Sequence, residues 1–279
     1  MTLKIESILE ISNKYDAIVF DQYGVLHDGK IPYFGAIECL STLKKIGLKL
    51  AVLSNSGKRS NPNKKRISDM GFNASFFENI MTSGEALWGD VANEFIAEKK
   101  FFPIERNFGD AEDWASGLDI LLTNSIDSSE AVLLMGIPDG DGLQEWQAIL
   151  EKAIKLGLPL YCSNPDLLSP RADGKLITAA GALAHNYIKF GGSVTFYGKP
   201  HKQIFKNLQN LLKVKNILMV GDSLEHDILG GANIGWDTLL IQSGIHAPEF
   251  SNGNHPIVLE KLISMKKCKP PTFLIESVK

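Results

Sequence analysis

A small set of polar side chains in this sequence stands where apolar runs end, and together these side chains could transfer a phosphoryl group. Asp21 follows AIVF, Ser54 follows LKLAVL, Lys199 stands in YGKP, and Asp222 follows ILMVG with Asp227 five residues on. Phosphoryl transfer spreads negative charge over several oxygens, so it needs a nucleophile, a hydroxyl or amide donor, a cation and a divalent metal around one phosphate. The set predicts such a site.

Each residue type has a role in that chemistry. The Asp21 carboxylate can act as a nucleophile and form an aspartyl-phosphate. Ser54 and the backbone amides of the turn behind it can hold phosphate oxygens. Lys199 neutralises charge and keeps Asp21 ionised. Asp222 offers the hard oxygen ligand that Mg²⁺ prefers, while Asp227 would orient metal-bound waters or pair with Lys199.

Strand and helix signals alternate along the chain and indicate what positions these side chains. The runs 17–20, 48–53 and 217–220 predict buried strands, SVTFYGKP predicts another strand that ends at Lys199, and helical spacing over 34–46 predicts a helix closed by Gly47. This alternation favours an α/β fold with a doubly wound parallel sheet, which binds ligands at the carboxyl ends of its strands. We therefore expect all the polar clusters at one edge of that sheet.

The segment between Ser83 and Gly192 is too long for a loop. It has its own strand and helix signals, including EAVLLMGI, a helical run over 143–154, the strand-like LPLYC and a helix near 179–190. We therefore expect a large inserted α/β domain at 84–191 and a discontinuous core domain at 1–83 and 192–279.

Composition limits the classes of partner. The chain has 279 residues, 44% of them hydrophobic, and 29 basic against 32 acidic residues, a balance without the broad basic face typical of nucleic-acid binding. No apolar segment approaches the roughly 20 residues that span a bilayer, and the N-terminus does not look like a secretion signal. Three cysteines without a pairing pattern favour reduced, buried thiols. We expect a cytoplasmic protein without nucleic-acid or membrane partners, and a homo-oligomer is left open.

At these motifs the chain closely resembles the haloacid dehalogenase superfamily. The matching strings are DQYGVL (21–26), VLSNSGKR (52–59), YGKP (197–200) and GDSLEHDILGG (221–231), and CSNPDLLSP, GKLITAAGALAH and GWDTLLIQSGIHA narrow the resemblance to subclass IIA, the sugar-phosphate and nitrophenyl-phosphate phosphatases. It implies a Rossmannoid core, an inserted α/β cap, a small phosphorylated metabolite as substrate and Mg²⁺ as cofactor. The metal ligands it implies are Asp21, the main-chain carbonyl of Tyr23, and Asp222.

Tyr23 departs from the phosphatase pattern. The phosphatases have an aspartate there, which protonates the leaving group and later activates water. A phenol with a pKa of about 10 is a poor general base at neutral pH, so we expect reduced or atypical phosphatase activity. Tyrosine at this place also resembles the metal-free 2-haloacid dehalogenases, although Asp222 with Asp227 and the large cap argue for the phosphatase branch. A ligand-binding protein without catalysis is the third hypothesis.

The string SNPDLLSP has two interpretations. Asn164 and Asp166 follow an apolar run and lie between prolines, which is typical of a capped turn. The resemblance instead implies a cap loop that selects the substrate. Arg171, shortly beyond, could meet an anionic substrate group, although an arginine in such a place is more often a solvated surface residue. Asn55 is expected to shape the turn at Ser54 and to contact phosphate through its amide.

Overall fold

The computed structural model describes residues 2–170, 176–251 and 253–279. Its backbone contacts divide the chain into two units, each with a parallel sheet and helices. The first unit comprises Met1–Ser54, Asn61–Met81 and Lys199–Lys279, and the second comprises Asn55–Ser60 and Thr82–Gly198. The predicted α/β fold class is confirmed.

The strands of the described residues are, in chain order, β1 (Leu3–Lys4), β2 (Ala17–Phe20), β3 (Lys49–Ser54), β4 (Phe77–Thr82), β5 (Lys100–Ile104), β6 (Leu121–Leu122), β7 (Ala131–Leu134), β8 (Leu160–Cys162), β9 (Leu168–Pro170), β10 (Leu176–Thr178), β11 (Val194–Phe196), β12 (Ile217–Gly221), β13 (Asp237–Ile241) and β14 (Phe273–Ile275).

The α-helices are α1 (Ala36–Lys45), α2 (Ser60–Asp69), α3 (Ser83–Ala92), α4 (Asp110–Ala115), α5 (Leu143–Lys155), α6 (Ala180–Lys189), α7 (Lys202–Leu212), α8 (Leu229–Asn233), α9 (Ala247–Ser251) and α10 (His255–Lys266). Short 3₁₀ helices lie at Ile8–Glu10, Ser12–Lys14, Ala74–Phe76 and Ile126–Ser128, and a π-helical turn lies at Leu224–Ile228. Within the described residues, no helix combines the length and apolar composition that crossing a bilayer requires.

The sheet of the first unit has the strand order β1-β14-β13-β12-β2-β3-β4. The neighbours β12, β2 and β3 run parallel, so their carboxyl ends lie side by side at one edge of the sheet. Ser54 ends β3, and Asp21 and Asp222 directly follow β2 and β12. The sequence predicted these three strand ends.

The central strands of this sheet are apolar because both of their faces are buried. All four residues of β2 are fully buried, and so are 50–53 of β3. In register, Phe20 lies opposite Val52 of β3 and Val220 of β12. Near-continuous apolar runs of this kind are typical of a parallel sheet covered on both faces, and the packing fixes the register that brings the polar strand ends together.

The second unit is built around a parallel sheet of order β11-β8-β7-β5-β6. Its central strand β7 is fully buried, and α5 and α6 contribute Leu150, Leu183 and Tyr187 to the same core. The Tyr187 hydroxyl is satisfied there, since it donates to the Leu158 carbonyl at 2.7 Å. This unit therefore has a hydrophobic core of its own.

The prediction that SVTFYGKP supplies a strand of the same sheet as Asp21 is wrong. Strand β11 pairs with β8 in the second unit, and that unit continues to Gly198, past the predicted boundary at 191. An apolar run predicts a strand but carries no information about the strand with which it pairs. Lys199 therefore follows a strand of the second unit, although Lys199 itself belongs to the first.

The predicted helices are confirmed with shifts of one or two residues at their ends: 34–46 is α1, 143–154 is α5 and 179–190 is α6. Gly47 ends α1 with a φ of +92°, a conformation that glycine adopts without strain. The three cysteines Cys39, Cys162 and Cys268 are buried and free, as predicted.

Candidate active site

Lys199 forms two ion pairs with acids of the first unit. Its Nζ atom lies 2.7 Å from Oδ1 of Asp21 and 2.8 Å from Oδ1 of Asp227, and its side chain is 3% exposed. Burial alone would lower the pKa of Lys199, but the two carboxylates raise it above its ordinary value. Lys199 is therefore a fixed cation at neutral pH, held against the proposed nucleophile.

Backbone hydrogen bonds hold Asp21 and Asp227 in the positions where they pair with Lys199. The Asp21 amide continues the β2 ladder by donating to the Val220 carbonyl at 2.9 Å. Asp227 lies in the π-helical turn, where its Oδ2 accepts from the Ser223 amide at 3.1 Å. A Cβ atom at Gly221 would lie 2.1 Å from Cβ of Asp227, so glycine is needed where β12 meets this turn.

Asp222 is held by a backbone amide and by two close glycines. Its Oδ2 accepts from the Ile245 amide at 2.8 Å. A Cβ at Gly24 would lie 1.9 Å from that oxygen, and a Cβ at Gly244 would lie 2.2 Å from Cβ of Asp222. Burial, and then the charge of Asp21, raises the pKa of Asp222 to about 8. The site holds more negative charge than Lys199 alone compensates.

The arrangement of these acids fits a hard divalent cation. One carboxylate oxygen from each of Asp21, Asp222 and Asp227 lies within 4.8 Å of the others, and no other group of three or more His, Cys, Asp and Glu residues in the described part of the chain is as close together. Carboxylate oxygens are the ligands that Mg²⁺ takes in proteins. Both carboxylate oxygens of Asp227 already accept hydrogen bonds, Oδ1 from Lys199 and Oδ2 from the Ser223 amide. Asp21 and Asp222 are therefore better suited to be direct ligands.

The structure places Ser54 and Tyr23 in different surroundings. Ser54 ends β3 with its side chain buried, whereas the side chain of Tyr23 is 49% exposed. The Tyr23 ring meets the ring of His27 edge-on, with centroids 6.5 Å apart. The phenol of Tyr23 is therefore a partly solvated side chain, two residues from Asp21 in the sequence.

His27, six residues past Asp21 in the sequence, is not suited to act as a general acid at neutral pH. It is fully buried, and its Nδ1 accepts from the Gly29 amide at 3.0 Å. Burial, followed by the charge of Arg66, lowers the pKa of His27 to about 4. The ring is therefore neutral at physiological pH, and it has no proton to give as an imidazolium.

Asn55, Asn164 and Asp166, the residues predicted to contact the substrate, are linked by hydrogen bonds in the second unit. Nδ2 of Asn55 donates to Oδ1 of Asp166 at 2.7 Å, and the Asp166 amide donates to Oδ1 of Asn164 at 3.1 Å. The second contact is the capped turn that the sequence predicts, and the role of this loop in substrate selection stays a prediction. Arg171 lies outside the described residues.

Sequence reasoning missed the contact between Gln22 and Arg66. Nη2 of Arg66, on α2, donates to Oε1 of Gln22 at 3.2 Å, and Gln22 directly follows Asp21. Burial lowers the pKa of Arg66, and the charge of Asp21 opposes that shift. No local pattern links positions 44 residues apart, whereas the glycines of DQYG and QSGI could have indicated the close approaches to Asp222.

Two family models match the chain. A haloacid dehalogenase-like hydrolase model matches residues 18–108, and a HAD-hydrolase-like model matches residues 196–263. Together they include the strand ends that supply Asp21, Ser54, Asp222 and Asp227.

One curated protein is similar to the chain in sequence, and two solved structures are similar to it in fold. An acid sugar phosphatase from Staphylococcus aureus is 28% identical over 253 residues, which cover 87% of this chain and 93% of the relative. The crystal structure of a haloacid dehalogenase-like hydrolase from Brucella suis superposes with a TM-score of 0.82 at 24% identity over 99% of this chain and 100% of that one. The magnesium complex of a glycerol phosphate phosphatase from Mycobacterium tuberculosis superposes with a TM-score of 0.70 at 20% identity, over 86% of this chain and 71% of that one.

Proposed function

We infer that this chain belongs to the haloacid dehalogenase superfamily of hydrolases, in its subclass IIA phosphatase branch, and we propose that it hydrolyses a small phosphorylated metabolite through an aspartyl-phosphate at Asp21. The contact of one buried lysine with both Asp21 and Asp227, 2.7 and 2.8 Å away, carries this proposal. The Asp21 carboxylate lies beside a fixed cation, which supports a role for Asp21 as the nucleophile of a phosphoryl transfer.

In the first step Asp21 attacks phosphorus, and the bond from phosphorus to the leaving oxygen breaks. Lys199 occupies Oδ1 of Asp21, so Oδ2 is the oxygen that attacks. The positive charge of Lys199 stabilises negative charge on the transferring oxygens. In the second step water attacks the aspartyl-phosphate, which releases phosphate and restores the Asp21 carboxylate.

Asp21 and Asp222, with the main-chain carbonyl of Tyr23, are the residues that would hold Mg²⁺. Bound there, the ion would neutralise charge on the phosphate and on the crowded carboxylates. Asp227 pairs with the same ammonium group and holds Lys199 in place. Ser54 at the end of β3 supplies a hydroxyl donor to phosphate oxygens.

Tyr23 makes this reaction slower than in phosphatases that have an aspartate at its position. No carboxylic acid there protonates the leaving oxygen, and no carboxylate activates the attacking water. We therefore propose a preference for leaving groups that are stable as anions, such as aryl or acyl groups, together with slow breakdown of the intermediate. Acid sugar phosphatase and glycerol phosphate phosphatase are the names of two relatives, so small sugar and polyol phosphates are the first natural substrates to test.

Phosphate release from a panel of phosphorylated metabolites and from nitrophenyl phosphate, each with Mg²⁺ and with chelator, tests the proposal. We expect release that needs Mg²⁺ and that Asp21→Asn abolishes while the variant remains folded. A matched control is Asp69→Asn, because Asp69 forms an exposed ion pair with Lys65 on α2 and lies outside the proposed machinery. The same protein is assayed with 2-haloacids. Halide release that is indifferent to chelator would instead support the dehalogenase hypothesis, and ligand binding without turnover of either class would support a non-catalytic binder.

A further inference from the structure

We infer that the hydrogen bond from Asn55 to Asp166 is a positioning link, through which the second unit fixes the backbone directly after Ser54. The inference rests on the proposed function, since it concerns how a donor to the phosphate is held. It differs from the sequence-based expectation, in which Asn55 and Asp166 touch the substrate themselves. The contacts of two segments of the second unit support it, the residues 55–60 and the loop 164–166.

The segment 55–60 is fastened to the start of α3. The Gly84 amide donates to the Ser56 carbonyl at 3.1 Å, and the Thr82 hydroxyl donates to the Lys58 carbonyl at 2.6 Å. Arg59 pairs with Glu85 at 2.7 Å. Backbone and side-chain bonds along its length therefore make this segment part of the second unit.

Close packing leaves the segment little freedom to shift. A Cβ at Gly84 would lie 2.0 Å from the Gly57 carbonyl oxygen, and a Cβ at Gly57 would lie 2.7 Å from the Met135 carbonyl oxygen. At both glycines the nearest atom is a main-chain carbonyl oxygen, so backbone lies directly against backbone here. The segment is clamped between α3 and the end of β7.

The loop 164–166 is also held in one conformation. Its Asp166 amide donates to Oδ1 of Asn164, and its Asp166 carbonyl accepts from the Gly181 amide at 2.9 Å. A Cβ at Gly181 would lie 2.1 Å from the Pro165 carbonyl oxygen. The first turn of α6 thus packs directly on this loop and fixes the direction of the Asp166 side chain.

The bond from Asn55 to Asp166 joins these two fixed segments at the residue next to Ser54. At 2.7 Å between an amide donor and a carboxylate, it belongs to the stronger class of hydrogen bonds. Asn55 is the first residue of the second unit after Ser54, the last residue of β3. The orientation of Asn55 therefore determines the path of the backbone directly after Ser54, the proposed hydrogen-bond donor to phosphate.

A cavity in the second unit is lined by residues of both segments that the link joins. The cavity has a volume of about 150 Å³, and its lining includes Ser56 and Lys58 of the segment, Asn164 of the loop, and Arg106 and Asp110. A small polar ligand bound in it would contact both of the segments that the link joins.

Reversing the bond tests the link. Asn55→Asp places two carboxylates in contact, and we expect kcat on nitrophenyl phosphate with Mg²⁺ to fall by about tenfold or more with little change in KM. Asp166→Asn alone retains an oxygen that accepts from Asn55, and it should stay within about threefold of the parent. In the double variant the side-chain amide introduced at position 166 donates to the carboxylate introduced at position 55, so activity should return to within about threefold of the parent. Asn93→Asp is the matched control, since Asn93 makes an exposed bond to the Gly89 carbonyl at 2.7 Å.

If the carboxylate of Asp166 instead binds substrate, Asp166→Asn alone should raise KM strongly and the double variant should not recover, which would overturn the inference. Amide hydrogen exchange over 55–60 provides a readout that does not need turnover. We expect faster exchange in Asn55→Asp and parent-like exchange in the double variant, and equal exchange in all variants would also overturn the link. A parent protein that is inactive on every phosphate ester but shows this exchange pattern would refute the proposed function and leave the link supported.

Discussion

Gly24 faces Asp222 so closely that a Cβ atom at position 24 would lie 1.9 Å from Oδ2 of that carboxylate. Gly24 also has a φ of +81°, where a side chain is strained. In Gly24→Ala the Asp222 side chain must move, and displacements near 1 Å at a catalytic site can cost about 10² in rate. We expect kcat/KM for phosphate esters to fall by about that factor and calorimetry to show weaker Mg²⁺ binding.

The control for this prediction is Gly47→Ala. Gly47 has a similar φ of +92°, but a Cβ there would meet nothing within 4 Å. Both variants carry the backbone strain of about 1–2 kcal/mol, and only Gly24→Ala displaces the carboxylate. Equal loss of activity in the two variants would mean that strain, rather than contact with Asp222, accounts for the effect.

Replacing Lys199 should destabilise the fold as well as stop the reaction. Lys199→Met leaves Asp21 and Asp227 without the cation that pairs with them, and Asp227 is fully buried. Removing one partner of a buried ion pair typically costs about 3–5 kcal/mol. Urea denaturation without Mg²⁺ should show a loss of free energy of unfolding in that range, together with loss of phosphate release.

Lys65→Met serves as the comparison, because Lys65 pairs with Asp69 at 2.8 Å on the exposed surface of α2. Surface pairs of this kind contribute about 0–1 kcal/mol. A loss in Lys199→Met no larger than that in Lys65→Met would contradict a buried, structurally required cation.

The sequence predicted the strand ends of the site because their chemistry is local. An apolar run that stops at an acid identifies both a buried strand and the residue at its carboxyl end, so Asp21, Ser54 and Asp222 could be assigned to one sheet edge. Asp227 followed from its spacing to Asp222 within one motif. The pairing of Lys199 with Asp227 was one of two roles predicted for that acid, and the structure contains it.

What the sequence did not predict depends on partners distant in the chain. The strand before Lys199 has the same apolar character as a core strand, yet it pairs with β8 of the second unit. The assignment of residues 55–60 to that unit depends on contacts with α3 and with the loop 164–166, and the contact of Arg66 with Gln22 crosses 44 residues. Pairings of this kind arise only from three-dimensional packing.

Stability in the absence of Mg²⁺ should fall as the pH rises from about 6.5 to 8.5. Burial and the neighbouring charge of Asp21 raise the pKa of Asp222 to about 8 in the folded state. In an unfolded chain the pKa of an aspartate is about 3.9. The folded state then binds more protons than the unfolded state, so the contribution of Asp222 to stability is lost as the pH passes through the folded pKa. The slope can reach about 1.4 kcal/mol per pH unit for one group.

Urea denaturation across this range, with Mg²⁺ and with chelator, measures the effect. Saturating Mg²⁺ should flatten the slope because the cation stabilises the ionised carboxylates. Asp222→Asn should flatten it without metal. His27 and His246, whose pKa values are lowered, act mainly below the chosen range. A parent slope that neither Mg²⁺ nor Asp222→Asn changes would show that Asp222 does not titrate there.

Tyr23→Asp should raise the turnover of alkyl phosphates. The new carboxylate would supply the general acid and base that Tyr23 lacks, a contribution of about 10² to 10⁴ in rate, and a half-exposed tyrosine side chain leaves room for a smaller one. We expect the gain to be larger for alkyl than for aryl phosphates, because only poor leaving groups need the proton. Any burst of product in the parent should shrink as water attacks the aspartyl-phosphate faster. Tyr23→Phe is the control, since it removes only the hydroxyl and should leave rates unchanged if the phenol plays no part in proton transfer. A folded, Mg²⁺-binding Tyr23→Asp protein with no gain on any phosphate ester would refute the proposed role of this position and favour the dehalogenase or binder hypothesis.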